Sequence, residues 1–122
     1  MIGYLTLGTN DLPRAARFYD DLLALLGAKR AMETERYIGW SSGPAATMLL
    51  LIKPHDGAAA TAGNGTMVAL AASSREQVTA VHARALALGA RDEGAVGPRG
   101  DAFFGGYFRD PDGNKLAVFT IG

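Results

Sequence analysis

Apolar and polar positions alternate along "YLTLGT", residues 4–9, and then give way to a spacing near 3.6 residues. Alternation marks a strand with one covered face, whereas the longer period marks a helix with an apolar stripe. That helix opens at Asp11, whose carboxylate can accept from the unpaired N–H groups of the first turn. Pro13 is tolerated there, because an N–H in that turn has no helical partner to lose. Leu12, Ala15, Tyr19, Leu22 and Leu26 fall on one face, and Gly27 ends the run. "TMVALAA", residues 66–72, predicts a second such strand. Ser73 with Glu76 then reads as a capping box for a second helix, with Val78, Val81, Ala85 and Leu88 as its stripe and Gly89 as its stop. Asp11 and Ser73 are 62 positions apart, as are Gly27 and Gly89, so one plan is written twice.

Further strand patterns follow each helix. "RYIGWSS" and "TMLLLIKP" lie in the first half, "DAFFGGYF" and "NKLAVFTI" in the second, each bounded by Gly, Pro and Asp clusters. Weaker, shorter strands are predicted near "AKRAMETE" and "EGAVG". Each half is then βαβββ, an α+β arrangement. Met48–Ile52 is apolar on both alternating faces, as a central strand covered on each side requires. A half of about 60 residues is marginal in isolation, so the two are expected to share a core. The predicted limits are a first module over about 1–56, a linker over about 57–64 and a second module over about 65–122, within one domain of 122 residues. The joint "HDGAAATAGNG" is small and flexible, which permits pairing within one chain or in a swapped dimer.

Charge narrows the partners. Twelve basic and twelve acidic residues cancel, so no global field gathers nucleic acid, an anionic membrane or a polyanion, and a small ligand is expected. With no cysteine, disulfides, thiolate nucleophiles, cysteine zinc sites and iron–sulfur clusters are excluded. The N-terminal stretch has neither a basic segment nor a long apolar run, and no segment has membrane-spanning length, so a cytoplasmic protein is expected.

Asp110-Pro111-Asp112-Gly113 fits a type I turn followed by a glycine bulge. That loop pairs Asp110 with Asn114 and, counting outward, sets Tyr107 opposite Ala117 on one sheet face. "TLGTNDLPRAARFYDDLL", "GNGTMVALAA" and "FRDPDGNKLAVF", in that order and with the βαβββ repeat, resemble the vicinal oxygen chelate superfamily of glyoxalases, bleomycin-resistance proteins and extradiol dioxygenases. The resemblance covers essentially the whole chain. It implies two paired βαβββ modules forming a cupped, mixed eight-stranded sheet, with helices outside and a ligand cavity inside, usually as a homodimer.

The resemblance also implies where a divalent metal would be held. Members with lyase or dioxygenase activity use His and Glu side chains and leave open positions for two adjacent substrate oxygens. Carried over singly, the first-strand histidine falls on Tyr4, the histidine that begins the second half on Met67, and the glutamate after the turn on Ala117. The remaining first-half ligand falls on Leu49, or on Leu51 if the alignment slips by two. An alkyl chain has no lone pair, a neutral thioether is soft and a phenol titrates near 10, so none suits Zn²⁺, Ni²⁺, Mn²⁺ or Fe²⁺. No metal or other cofactor is therefore expected. His55 and His82 are isolated and read as solvated or locally bonded, and "GNG" at 63–65 lacks the strand-then-helix context of a phosphate loop.

A site without metal is expected to be apolar with a few polar handles. The candidate lining is Tyr4, Trp40, Leu49, Met67, Phe103, Tyr107, Ala117 and Phe119, with Arg36, Lys53, Arg99 and Arg109 available to an anionic group. The expected function is binding of a small hydrophobic or aromatic molecule, to sequester or carry it. The alternative is a glyoxalase-like lyase, isomerase or dioxygenase-type enzyme with an unrecognised or metal-independent site. No carboxylate–histidine pair is present to tune Tyr4 or Tyr107 for proton transfer, which favours binding.

Overall fold

Both helices start and stop by local chemistry that the two halves share. The computed structural model describes residues Met1–Gly122. It contains, in chain order, β1 (Tyr4–Gly8), α1 (Leu12–Ala24), β2 (Lys29–Glu33), β3 (Tyr37–Ser41), β4 (Met48–Ile52), β5 (Val68–Ala71), α2 (Arg75–Ala87), β6 (Arg91–Arg99), β7 (Phe103–Arg109) and β8 (Lys115–Ile121). Asp11 caps α1, its Oδ1 accepting from the Arg14 N–H at 3.1 Å.

The second cap lies one residue beyond the predicted Ser73. Ser74 Oγ accepts from the Gln77 N–H at 3.1 Å, and the Gln77 side chain returns to accept from the Ser73 N–H at 2.7 Å. A reciprocal cap needs an acceptor side chain three residues in, and Gln77 meets that need for Ser74. Glu76 stays in the first turn, where the positive end of the helix dipole favours it. At the other end the predicted glycines hold. Gly27 and Gly89 take φ of 77° and 104°. Ala28 N–H donates to Leu23 O and Ala90 N–H to Ala85 O, so both helices end in the same six-to-one closure.

The chain forms two units, Met1–Ala62 and Gly63–Gly122. Each holds a mixed four-stranded sheet, ordered β1-β4-β3-β2 in the first and β5-β8-β7-β6 in the second. The outer pairs β1–β4 and β5–β8 are parallel and the other pairs antiparallel. In the first unit Phe18, Tyr19 and Leu22 of α1 meet Leu7, Ile38, Trp40, Leu49 and Leu51, all buried. In the second, Val78, Val81 and Ala85 of α2 meet Phe108, Leu116 and Val118. Each large side chain so buried contributes about 1.5–3 kcal/mol. Each unit thus closes a helix-on-sheet core of its own. Leu26 and Leu88, predicted on the stripes, are only half-buried, because both lie beyond the last residue of their helix.

Part of the predicted linker belongs structurally to the first unit. The Asn10 side-chain amide donates to Ala60 O and its oxygen accepts from Ala60 N–H, at 3.1 and 2.7 Å. Ala60 Cβ lies 2.9 Å from where a Cβ on Gly8 would be, so only glycine fits beneath this clasp. No helix is long and apolar enough to cross a membrane.

Candidate functional site

The hairpin β7–β8 sets the register of the second unit. Gly113 N–H donates to Asp110 O and Asp110 N–H to Asn114 O, both at 2.9 Å, and Gly113 has φ of 90°. Buried Asp110 locks the loop, its Oδ1 accepting from the N–H groups of Asp112 and Asn114 at 2.9 Å and its Oδ2 from the Asn114 side chain at 3.0 Å. Tyr107 consequently stands opposite Ala117, and Ala117 opposite Ala69 of β5. The next row is Gly105, Phe119 and Ala71, and beyond it Phe103 faces Ile121.

Alternation puts these rows on the face that α2 leaves uncovered. Phe108, Leu116 and Val118, one residue out of step, are the buried helix side. Met67, two residues before Ala69, continues the uncovered face and is 44% exposed. Five predicted lining residues, Met67, Phe103, Tyr107, Ala117 and Phe119, therefore share one face, although Ala117 is itself buried there, 1% exposed.

The first unit distributes its three predicted residues differently. Tyr4 lies on the helix-free face and is 63% exposed. Leu49 pairs with Leu5 and Trp40, a row that points at α1. Trp40 is 1% exposed, its ring 5.7 Å from that of Tyr19, and its Nε1–H donates to Asp20 Oδ1 at 2.9 Å. Trp40 and Leu49 are thus core residues of the helix side. The β4 residues that share the face of Tyr4 are Met48, paired with Tyr4 itself, Leu50, paired with Thr6, and Ile52, paired with Gly8. A hollow of about 440 Å³ beside Lys29, Ser42, Gly43 and Met48 includes none of the eight predicted residues.

On the second unit's uncovered face the glycines shape the surface. A Cβ on Gly105 would lie 2.7 Å from Phe103 Cε1 and 2.9 Å from Val118 O. With only hydrogen there, the Phe103 ring lies over the strand and stacks on Phe119, centroids 5.3 Å apart and planes 3° from parallel. Gly94, opposite Tyr107, likewise makes room for the phenol ring, since a Cβ there would meet Tyr107 Cδ2 at 2.9 Å. Ala69, Ala71 and Ala117 keep the rest of this face low.

Charge surrounds the rings. The Arg99 guanidinium and the Lys115 ammonium each lie 5.6 Å from the centroid of the Tyr107 ring. Arg99 donates to the carbonyls of Ala95 and Gly97 at 2.7 and 3.0 Å. Arg109 Nε–H donates to Glu93 Oε1 at 2.5 Å, and Arg91 lies 3.7 Å from the same oxygen. The Arg109 hydrogen bond, aided by the charges of Arg109, Arg91 and Lys115, holds the Glu93 carboxyl below the usual carboxylate range. Arg99 and Arg109 were anticipated; Lys115 and Glu93 were not. Lys115 was recoverable, since it stands two residues before Ala117 and so on its face. Arg36 and Lys53 lie elsewhere, Arg36 donating to the carbonyls of Lys53 and Pro54.

The donor set does not fit a divalent metal. Tyr4, Met67 and Ala117 offer a phenol, a thioether and a methyl group, and Leu49, Leu50 and Leu51 are all alkyl whichever register is chosen. His82 is buried on the helix side, its Nε2 3.2 Å from Tyr107 O and 3.3 Å from Asp92 Oδ1. His55 sits in the loop after β4. No group of three or more His, Cys, Asp or Glu residues is arranged to hold a metal ion.

Two βαβββ units with this strand order, and a turn-locked final hairpin, define the architecture of the vicinal oxygen chelate proteins. The chain belongs to the glyoxalase/bleomycin resistance protein/dioxygenase superfamily, whose family model matches residues 1–118. It is similar to a glyoxalase/bleomycin resistance protein from Albidiferax ferrireducens T118, at 33% identity and TM-score 0.92, covering 100% of this chain and 99% of that one. A family enzyme from Burkholderia phytofirmans PsJN, 15% identical with TM-score 0.78 and 98% of each chain covered, shares the fold. So does a lactoylglutathione lyase from Agrobacterium tumefaciens, 22% identical with TM-score 0.71, covering 98% of this chain and 92% of that one. No curated protein matches the sequence.

Proposed function

We propose that this chain is a metal-independent member of its superfamily that binds a small hydrophobic or aromatic molecule on the sheet of its second module, in a sequestering or carrying role. One observation carries the reading. On the face that gathers five of the predicted residues, those five contribute rings, a methyl group and a thioether, and the metal positions implied by the family hold no imidazole or carboxylate. Phe103 and Phe119, parallel and half-exposed, offer a flat surface to a planar ligand, and Met67 adds an adaptable thioether at its margin. The Tyr107 hydroxyl supplies a polar handle. A proton-transfer role lacks support, because no carboxylate or imidazole is bonded to that hydroxyl to activate it.

Thermal-shift screening of purified protein with aromatic compounds, without added metal, tests the reading. Compounds with a planar ring are expected to raise the melting temperature, and Phe103→Ala to abolish the rise. A lyase or dioxygenase activity that appears only on adding Ni²⁺, Zn²⁺, Mn²⁺ or Fe²⁺ would overturn it.

A further inference from the structure

The charges around the rings go beyond a generic apolar site. Four cations, Arg91, Arg99, Arg109 and Lys115, stand on or beside the uncovered face of the second module, where Glu93 is the carboxylate that pairs with two of them, while Asp92 turns toward His82 and Asp101 and Asp112 lie in the flanking turns. Glu93 is held by Arg109 and Arg91. Arg99 is bonded to carbonyls of its own strand, and it and Lys115 converge on Tyr107 at the same 5.6 Å. A guanidinium fixed by backbone carbonyls is pre-oriented, so little side-chain freedom remains to be lost when an anion arrives. Whole-chain neutrality excludes a broad field for a polyanion, yet the local excess of positive charge suits one small acid.

We infer that the ligand is an aromatic acid: a planar ring seated on Phe103 and Phe119, with a carboxylate or comparable oxyanion recognised by Arg99 and Lys115. This rests on the proposed aromatic-binding reading and adds the charge of the ligand to it. The hydrocarbon ring gains apolar burial, while the oxyanion finds a guanidinium and an ammonium beside the ring of Tyr107.

Fluorescence titration with naphthoate and with the isosteric neutral naphthamide tests it on the intact chain. Naphthoate is expected to bind about tenfold or more tightly than naphthamide, as a charge-assisted hydrogen bond warrants. Arg99→Gln and Lys115→Gln should each erase most of that preference, weakening naphthoate by several-fold more than naphthamide. Both side chains are at the surface of the module, so each variant is expected to melt cooperatively near the parent's temperature. Rising salt should weaken naphthoate alone. Equal affinity for the two probes would overturn the inference and leave aromatic binding standing. Failure of both probes to bind would overturn the two together. Tighter binding of a short single-stranded oligonucleotide than of naphthoate would also contradict it.

Discussion

Single atoms decide the shape of the candidate surface. Gly105 is the sharpest case, because an added methyl would press on Phe103 Cε1 at 2.7 Å and on the immovable Val118 carbonyl at 2.9 Å. Gly105→Ala is expected to cost about 1–3 kcal/mol in chemical denaturation, as overpacking does, and to tilt Phe103 off Phe119. Gly43→Ala, where nothing lies within 4 Å, serves as the near-neutral control. Equal stabilities would show that the glycine is not required. Asp20 governs a second residue-scale effect. Its Oδ1 accepts from Trp40 Nε1–H and from Arg30 Nε–H at 2.9 Å, and its Oδ2 from Arg30 at 2.7 Å. The Arg30 bond, with help from Trp40 and against partial burial, lowers the carboxyl's pKa. A lowered folded value contributes stability that is complete above the ordinary carboxylate pKa of about 3.9 and is lost as pH falls below it. The side chain is 38% exposed, so screening keeps the effect under about 1 kcal/mol. Asp20→Asn should flatten the acid limb of the stability curve, followed by the emission of the chain's one tryptophan, Trp40, and parallel curves for the two proteins would refute the assignment.

At the level of elements, local signals were legible where local chemistry acts alone. The positions of Gly27 and Gly89 told where the helices stop, and the Asp110–Gly113 turn fixed the β7–β8 register, because a hairpin's register follows from its loop. The β1–β4 register was not legible. Parallel neighbours are joined through a helix and two other strands, so no turn counts the residues between them. Both Leu49 and Leu50 are apolar, and only packing on α1 decides which one faces it. Trp40 misled for a related reason: an aromatic in a strand fits either face, and its bond to Asp20 on α1 selects the helix side. Ser73 with Glu76 has the spacing of a capping box, but so has Ser74 with Gln77, and the structure uses the second pair. Ser74→Ala is expected to cost about 1 kcal/mol in denaturant unfolding, and Ser73→Ala clearly less. The reverse order would return the cap to Ser73.

The whole molecule has the architecture of the glyoxalase/bleomycin resistance protein/dioxygenase superfamily, with a phenol, a thioether and alkyl groups at the ligand positions that the resemblance implies. The fold was legible because repeated caps, glycine stops and strand patterns agree at every level, which is how a sequence specifies one structure. The candidate site was legible in its second half, where the hairpin count carried Tyr107, Ala117 and Phe119 onto one face, and much less so in its first. Charge was half read: Arg99 and Arg109 were singled out, yet the excess over Glu93 emerges only when β6, β7 and β8 lie side by side.

Metal content is the most direct measurement of this account. Elemental analysis of protein purified without chelators is predicted to find Ni, Zn, Mn and Fe far below equimolar, with a melting temperature unmoved by adding any of them. An equimolar metal that survives dialysis, and whose removal lowers the melting temperature, would contradict it.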